Sequence, residues 1–205
     1  NILINLTNLI NNKNLKKFIQ IGSSLEYSEN KKKIKENFDC TPNSIYGQAK
    51  LACTQYLTLL HKKINLPVTI FRVFQVYGPR QDQNRLIPYV INKCKKNQTF
   101  ALTSGEQVRN FCYIDDFVEA IFRSLREKKS NGEILNIGSD SAHKVKQVVK
   151  LIRNLIGKGR PIFGKKKKHI GEKNFISPNI IKIKKILKWQ PKHNLLSGIQ
   201  KMILD

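Results

Sequence analysis

Acidic side chains are scarce. Fourteen aspartates and glutamates stand against 38 lysines and arginines, for a formal net charge of +24. Such a balance invites a nucleic-acid partner. The basic residues are nearly all lysine, however, and they are scattered among asparagines and isoleucines along the whole length. Solvated lysine faces account for that pattern, and a nucleic-acid partner is not expected. Apolar runs are short and no signal peptide is recognised, so membrane insertion is not expected. The four cysteines form no C-x-x-C pair and have no histidine at ligand spacing, which leaves no metal site to expect. Cys53, Cys94 and Cys112 stand among apolar residues and read as small core fillers, with Cys40 in a loop. A reducing cytoplasm fits this usage. At 205 residues there is material for one good core, or one domain with a small appendage, and no internal repeat is visible.

What is present is organised around residues 16–50. The apolar run Phe18-Ile19-Gln20-Ile21 ends in Gly22-Ser23-Ser24 and reads as a buried parallel strand. After a polar, basic stretch, Thr41-Pro42-Asn43-Ser44 starts a helix that carries Tyr46 and Lys50. Four residues apart on a helix, these two share a face. An unassisted tyrosine, with a pKa near ~10, is a poor acid or base at neutral pH. A nearby ammonium favours the phenolate, and a serine hydroxyl can hold the reacting oxygen. Together they form a proton relay suited to interconverting an alcohol and a ketone. Spacing alone carries little weight here, because Tyr27/Lys31 and Tyr89/Lys93 repeat it. Only Tyr46/Lys50 follows a strand ending in Ser23-Ser24 and precedes a second strand, Val68 to Phe74.

The remaining elements follow in order. Residues 1–13 read as the remainder of a helix, and 27–43 as a solvated excursion with the lysine run Lys31 to Lys33. The helix from Ser44 to about Lys63 is expected to bury Ile45, Ala49, Ala52, Cys53, Tyr56, Leu57 and Leu60. Strand, helix and strand at this spacing make a right-handed βαβ unit, whose ligands bind off the carboxyl ends of the strands. A helix from Leu86, short strands at 100–102 and 109–114, a helix capped by Asp115 or Asp116 and running to about Arg126, and a strand at 132–138 come next. An amphipathic helix over 146–156 and a last helix over roughly 178–188 complete the reading.

The pieces FIQIGSSLEYS, TPNSIYGQAK, FRVFQVYGP, NRLIPYVI, SGEQVRNFCYIDDFVEAI, GEILNIGS and LKWQP resemble, in order and spacing, the extended short-chain dehydrogenase/reductases. The likeness is to their NAD-dependent epimerase/dehydratase branch, which acts on nucleotide sugars, and it spans nearly the whole chain. It implies an α/β fold: the C-terminal part of a Rossmann-like parallel sheet over 1–78, and a small α+β substrate-binding domain over 79–205, with 111–140 returning to the sheet. It implies Tyr46 as catalytic acid/base, Lys50 on the nicotinamide ribose and tuning Tyr46, and Ser23 on the sugar hydroxyl, with Ser24 beside it. Phe74 would pass the nicotinamide. Gln75 would contact the sugar, Arg85 and Leu86 the nucleotide, and Arg109 the diphosphate, which suits a guanidinium. From the residues alone, Arg109 could instead be an ion-pair partner of Asp115 or Glu106, and Gln75 a turn-stabilising amide. The implied cofactor is NAD or NADP, the implied partner a nucleoside-diphosphate sugar, and a homodimer formed through the Tyr46 helix is expected.

Departures from the family pattern narrow the activity. Dehydratases of the family carry a glutamate where Leu25 stands, and fucose-forming epimerase-reductases a cysteine; neither is present. Water elimination and carbanion-type epimerisation need that extra acid/base, so a 4-epimerase or 4-keto-sugar reductase is expected, with Glu26 the one residue able to upset this. The glycine-rich turn that cradles the cofactor pyrophosphate would lie before Asn1, so an N-terminally truncated enzyme, inactive alone, is expected. Lys165 to Lys168 replace a stretch that usually supplies another nucleotide-binding arginine; one of these lysines could serve. The physiological setting implied is sugar supply for surface polysaccharide. Two alternatives stand beside this reading: a non-catalytic relative that binds nucleotide sugar or a partner protein, and a nucleic-acid binder.

Overall fold

Residues 2–10, 14–167 and 171–205 are described by a computed structural model. In chain order the elements are α1 (Ile2–Leu9), β1 (Phe18–Ser23), α2 (Ile45–Ile64), β2 (Val68–Val73), β3 (Gln75–Tyr77), α3 (Leu86–Lys95) and β4 (Thr99–Ala101). They continue as β5 (Val108–Tyr113), α4 (Ile114–Arg126), β6 (Glu133–Ile137), β7 (Ala142–Lys144), α5 (Val145–Ile156), β8 (Arg160–Ile162), β9 (Phe175–Ile176), α6 (Ile181–Leu187) and α7 (Leu195–Leu204).

β-branched and aromatic side chains make β2 (VTIFRV) a strand buried on both faces. It lies at the centre of a parallel sheet of order β1-β2-β6, paired with Ser23 opposite Val73 on one side and Phe71 opposite Leu135 on the other. One face is covered from the α2 side by a core of Leu57, Leu66, Val68 and Ile70. The other packs Phe71, Leu135 and Ile137 against Ala120 of α4, Ile183 and Leu187 of α6, and the fully buried Trp189. Helices on both faces of a parallel sheet make the Rossmann-like arrangement expected from the βαβ pattern. A second sheet, β3-β5-β7 with β9 also on β5, carries a second core together with α3, α5 and α7. No helix among the described residues is long and apolar enough to cross a membrane.

Several expectations need correction. β1 is only half-buried over its first residues, with Ile21 38% exposed, because no strand among the described residues pairs with its outer edge. The α2 helix buries Leu57 as expected and Cys53, Tyr56 and Leu60 in part, but its N-terminal half turns Gly47, Leu51 and Thr54 inward: Ile45 is 92% exposed, and Ala49 and Ala52 are exposed too. The 27–43 stretch is more than a solvated excursion. Its lysines are exposed, but Tyr27 and Ile34 are buried, Ile34 bridges to Pro178, and the Glu36 carboxylate accepts the Asn136 N–H at 2.9 Å. Burial there raises the Glu36 pKa above the usual carboxylate range.

Neither Asp115 nor Asp116 caps α4, whose N-cap position is Tyr113 without a side-chain bond. The buried Asp116 instead accepts the backbone N–H groups of Lys192 and His193, at 3.0 Å each, and so ties down the C-terminal segment. The helix ending at Leu187 is followed by another, α7, which completes the core of the second sheet through Leu195, Ile199 and Met202. Cys94 and Cys112 are buried as expected, whereas Cys53 is only partly so.

Candidate active site

Ser23 is the last residue of β1 and the cap of a short 3-10 turn, Ser24–Glu26. Its Oγ accepts the Leu25 N–H at 3.1 Å, and both Ser23 and Ser24 are buried. The α2 helix begins at Ser44, whose side chain accepts the Gly47 N–H at 3.1 Å. A Cβ at Gly47 would stand 2.5 Å from the Leu25 carbonyl oxygen, so glycine lets the first turn of α2 rest directly on the turn that follows Ser23. That contact sets Tyr46, 55% exposed, beside the carboxyl end of β1. Lys50 donates from Nζ to the Ile21 carbonyl at 2.8 Å and lies 5.7 Å from the Tyr46 ring centre.

The Tyr89/Lys93 pair has nearly the same internal geometry, at 5.8 Å. Lys93, however, donates to Gln98 on the surface rather than to a strand end. Tyr27 is buried in the core among Ile34, Phe74 and Ile176, and burial raises its pKa. Location, not spacing, separates the three pairs.

Beyond β2 the chain enters a cavity of about 420 Å³ whose lining includes Gln75, Leu86, Tyr89, Arg109, Lys166 and Glu172. Because Ser23 pairs with Val73, the cavity wall at Gln75 begins only two residues past the strand position opposite Ser23. Phe74, between them, is turned into the core and buried. Arg85 is exposed at the N-cap position of α3 and does not line the cavity, although its neighbour Asn84 does.

Arg109 is buried, and Nη2 donates to Glu172 Oε1 at 2.8 Å. Burial lowers its pKa, and Glu172 works against that shift. Neither expected ion-pair partner is the real one. Glu106 bonds Lys144 at 2.7 Å, and Asp115 lies 3.8 Å from Lys201. Glu172 was missed because nothing local in the sequence marks it; it reaches the cavity only through the chain's return beside β5. Of the lysine run, Lys166 reaches the cavity wall and lies 5.4 Å from the Tyr89 ring centre, while Lys168 falls outside the described residues.

None of Ser23, Tyr46 and Lys50 lines the cavity. A parallel sheet flanked by helices, with a serine and a Tyr-x-x-x-Lys pair at the end of one strand and a cavity wall that starts two residues past the next, fits a Rossmann-like α/β protein of the short-chain dehydrogenase type. A profile of the NAD dependent epimerase/dehydratase family matches residues 1–138, and the chain belongs to that family. It is 30% identical over 183 residues to an uncharacterized UDP-glucose epimerase, YtcB, of Bacillus subtilis, covering 89% of this chain and 58% of that protein. It is also 30% identical to a putative UDP-glucose 4-epimerase of Methanocaldococcus jannaschii, over 91% of this chain and 61% of that protein. Among solved structures, it superposes on the UDP-glucose 4-epimerase of Thermotoga maritima with UDP-glucose at a TM-score of 0.87 and 28% identity, covering 93% of this chain and 63% of that one. The chain thus spans about three-fifths of the length of the relatives it matches.

Proposed function

We propose that this chain supplies the proton-transfer site and the nucleotide pocket of an NAD(P)-dependent enzyme that acts on a nucleoside-diphosphate sugar, as a 4-epimerase or a 4-keto-sugar reductase. One observation carries the reading: Lys50, beside the exposed Tyr46, is bonded to the Ile21 carbonyl of the strand that ends in Ser23, and the β2 residue paired with Ser23 is two residues from Gln75 in the wall of the Arg109 cavity. The UDP-glucose epimerases among the relatives support a UDP-sugar as substrate.

The donor set fits the nicotinamide-ribose end of the cofactor, with an ammonium fixed on a strand-end carbonyl and an exposed phenol beside it. When bound, the nicotinamide supplies hydride acceptance and return at the carbinol carbon. Tyr46 exchanges the proton of the sugar hydroxyl through its phenolic oxygen. Lys50, held on the Ile21 carbonyl, keeps an ammonium beside the Tyr46 ring, and the Ser23 hydroxyl holds the same sugar oxygen. Arg109, freed from Glu172, grips the diphosphate, and Leu86 packs on the nucleotide. Leu25, a side chain without an acid/base group, stands where water elimination would need one, which supports simple oxidation and reduction.

The test is turnover of UDP-glucose, with NAD, by a form carrying the glycine-rich turn, alongside the 205 residues alone. The short form is expected to be inactive, and Tyr46→Phe in the longer form to lose roughly 10²–10⁴-fold in kcat. Full activity of the phenylalanine variant would remove the reading. Tight UDP-sugar binding without turnover in the longer form would establish the binding-only alternative.

The exposed face of α2, with Ile45, Ala49, Ala52 and the adjoining Pro42, forms a shallow apolar trough. It supports a homodimer formed through α2. Ile45→Asp is then expected to shift the sedimentation coefficient to that of a monomer without lowering the melting temperature. An unchanged coefficient would place any dimer contact elsewhere.

A further inference from the structure

We propose that Glu26 is the positioning residue of this catalytic centre: a buried carboxylate that fixes Ser23 relative to the Tyr46 helix. The role in turnover rests on the function proposed above. Glu26 is fully buried, and its two oxygens bind three different elements. Oε1 accepts the Ser23 N–H at 2.7 Å. Oε2 accepts the Thr54 hydroxyl at 2.9 Å and Arg72 Nε at 2.8 Å. Ser23 ends β1, Thr54 lies on α2, and Arg72 lies on β2, two residues before Phe74.

The placement of Thr54 is what makes this more than core chemistry. Tyr46, Lys50 and Thr54 are spaced four residues apart on one helix, so they form a row along a single face. Lys50 bonds the Ile21 carbonyl of β1, and Thr54 bonds the carboxylate that holds Ser23. The row therefore reaches β1 at two points on either side of Gly22, directly at the Ile21 carbonyl and through Glu26 at the Ser23 N–H. Gly22 belongs to the same arrangement, since a Cβ there would stand 2.5 Å from Glu26 Oε1 and 3.1 Å from the Phe71 carbonyl. Arg72 is itself held from the far side, with its guanidinium 4.4 Å from the Tyr27 ring centre and Nη1 donating to the Glu36 carbonyl at 3.3 Å. A carboxylate with three donors on it and no exposed surface cannot reach a sugar. Glu26 thus does not serve as the extra acid/base of a dehydratase; it braces the groups that do touch substrate.

The test pairs Thr54→Val, which cuts the α2 link while leaving the ion pair, with Glu26→Gln, which weakens all three links. In the 205-residue chain, amide hydrogen exchange at Ser23 is expected to quicken more than tenfold in both variants while Leu135 in β6 keeps its rate. In the longer, cofactor-loaded enzyme, Thr54→Val is expected to lower kcat for UDP-glucose by roughly tenfold or more, in line with the cost of small misplacements, with KM within twofold. Leu57→Ala, on the same helix but facing the core, is the control: it should lower the melting temperature at least as much and leave kcat per folded molecule unchanged. Should Glu26→Gln fail to fold, Thr54→Val alone decides. Wild-type exchange at Ser23, or wild-type kcat, in Thr54→Val would overturn the proposal. If the unmodified enzyme turns over no nucleotide sugar, the functional reading fails by itself, and the exchange rates still decide whether Glu26 holds Ser23 to α2.

Discussion

Two arginine–glutamate pairs stand on either side of the site with the same 2.8 Å contact and opposite surroundings. Arg72–Glu26 lies under the carboxyl end of the parallel sheet, its side chains 4% and 0% exposed. Arg109–Glu172 lies in the cavity wall of the second sheet, where the glutamate side chain is 21% exposed. In the first pair the carboxylate also accepts Ser23 N–H and the Thr54 hydroxyl. In the second, Glu172 Oε1 accepts both Arg109 and, at 3.2 Å, the Gln107 amide, among the described residues. A pair sealed from water with every partner in place is a brace. A pair at the edge of a cavity, in reach of water and of any entering anion, is a hold that can be exchanged.

The contrast is broken most sharply by removing one member of the buried pair. Glu26→Ala or Arg72→Met strands the opposite charge in the core, and each should cost about 3–5 kcal/mol of folding stability, measured by urea denaturation. The double substitution is expected to cost less than the sum of the singles, with a coupling of about 2 kcal/mol or more. It should not recover fully, because Ser23 N–H and Thr54 lose their acceptor as well. Strictly additive losses would mean that the two side chains do not act as a pair.

How much of this was legible beforehand follows the range of the interactions involved. The β1–α2–β2 unit and the positions of Ser23, Tyr46 and Lys50 within it could be read because strand, cap and helix periodicity are local signals. The face that α2 buries could not. Beneath it the sheet accepts Gly47 and Thr54, one small and one polar, so the apolar row through Ile45 and Ala49 pointed to solvent instead. β7 (Ala-His-Lys) has little β-propensity and β9 (Phe-Ile) is only two residues long, too short to give a periodic signal; both form because β5 offers its edges to them. The carboxylate of Asp116 looked like a helix cap and proved to be an anchor for residues 192 and 193. Glu26 was visible as an acid near the site, but whether it faced sugar or core depended on Arg72 and Thr54, residues 46 and 28 positions away. Long-range pairing of this kind leaves no mark in a single sequence.

The smaller effect is expected at the exchangeable pair, and it is where the comparison can be sharpened. Glu172→Gln keeps the shape and one acceptor but removes the charge, so folding stability should fall by about 1 kcal/mol or less. On the proposed reading Arg109 is the diphosphate grip, and Glu172 is the anion it must release before UDP can bind. The glutamine variant should therefore bind UDP a few-fold more tightly by calorimetry, whereas Arg109→Met should lose roughly tenfold or more, the worth of a charged hydrogen bond. Glu26→Gln, whose side chain does not line the cavity, should leave UDP affinity unchanged despite its larger cost in stability. The two glutamates would then separate cleanly, one read out in folding and turnover, the other in nucleotide affinity. Weaker UDP binding by Glu172→Gln would instead mean that this carboxylate touches the nucleotide itself. Glu172 would then belong to the binding surface, and only the buried pair would keep the role assigned to it.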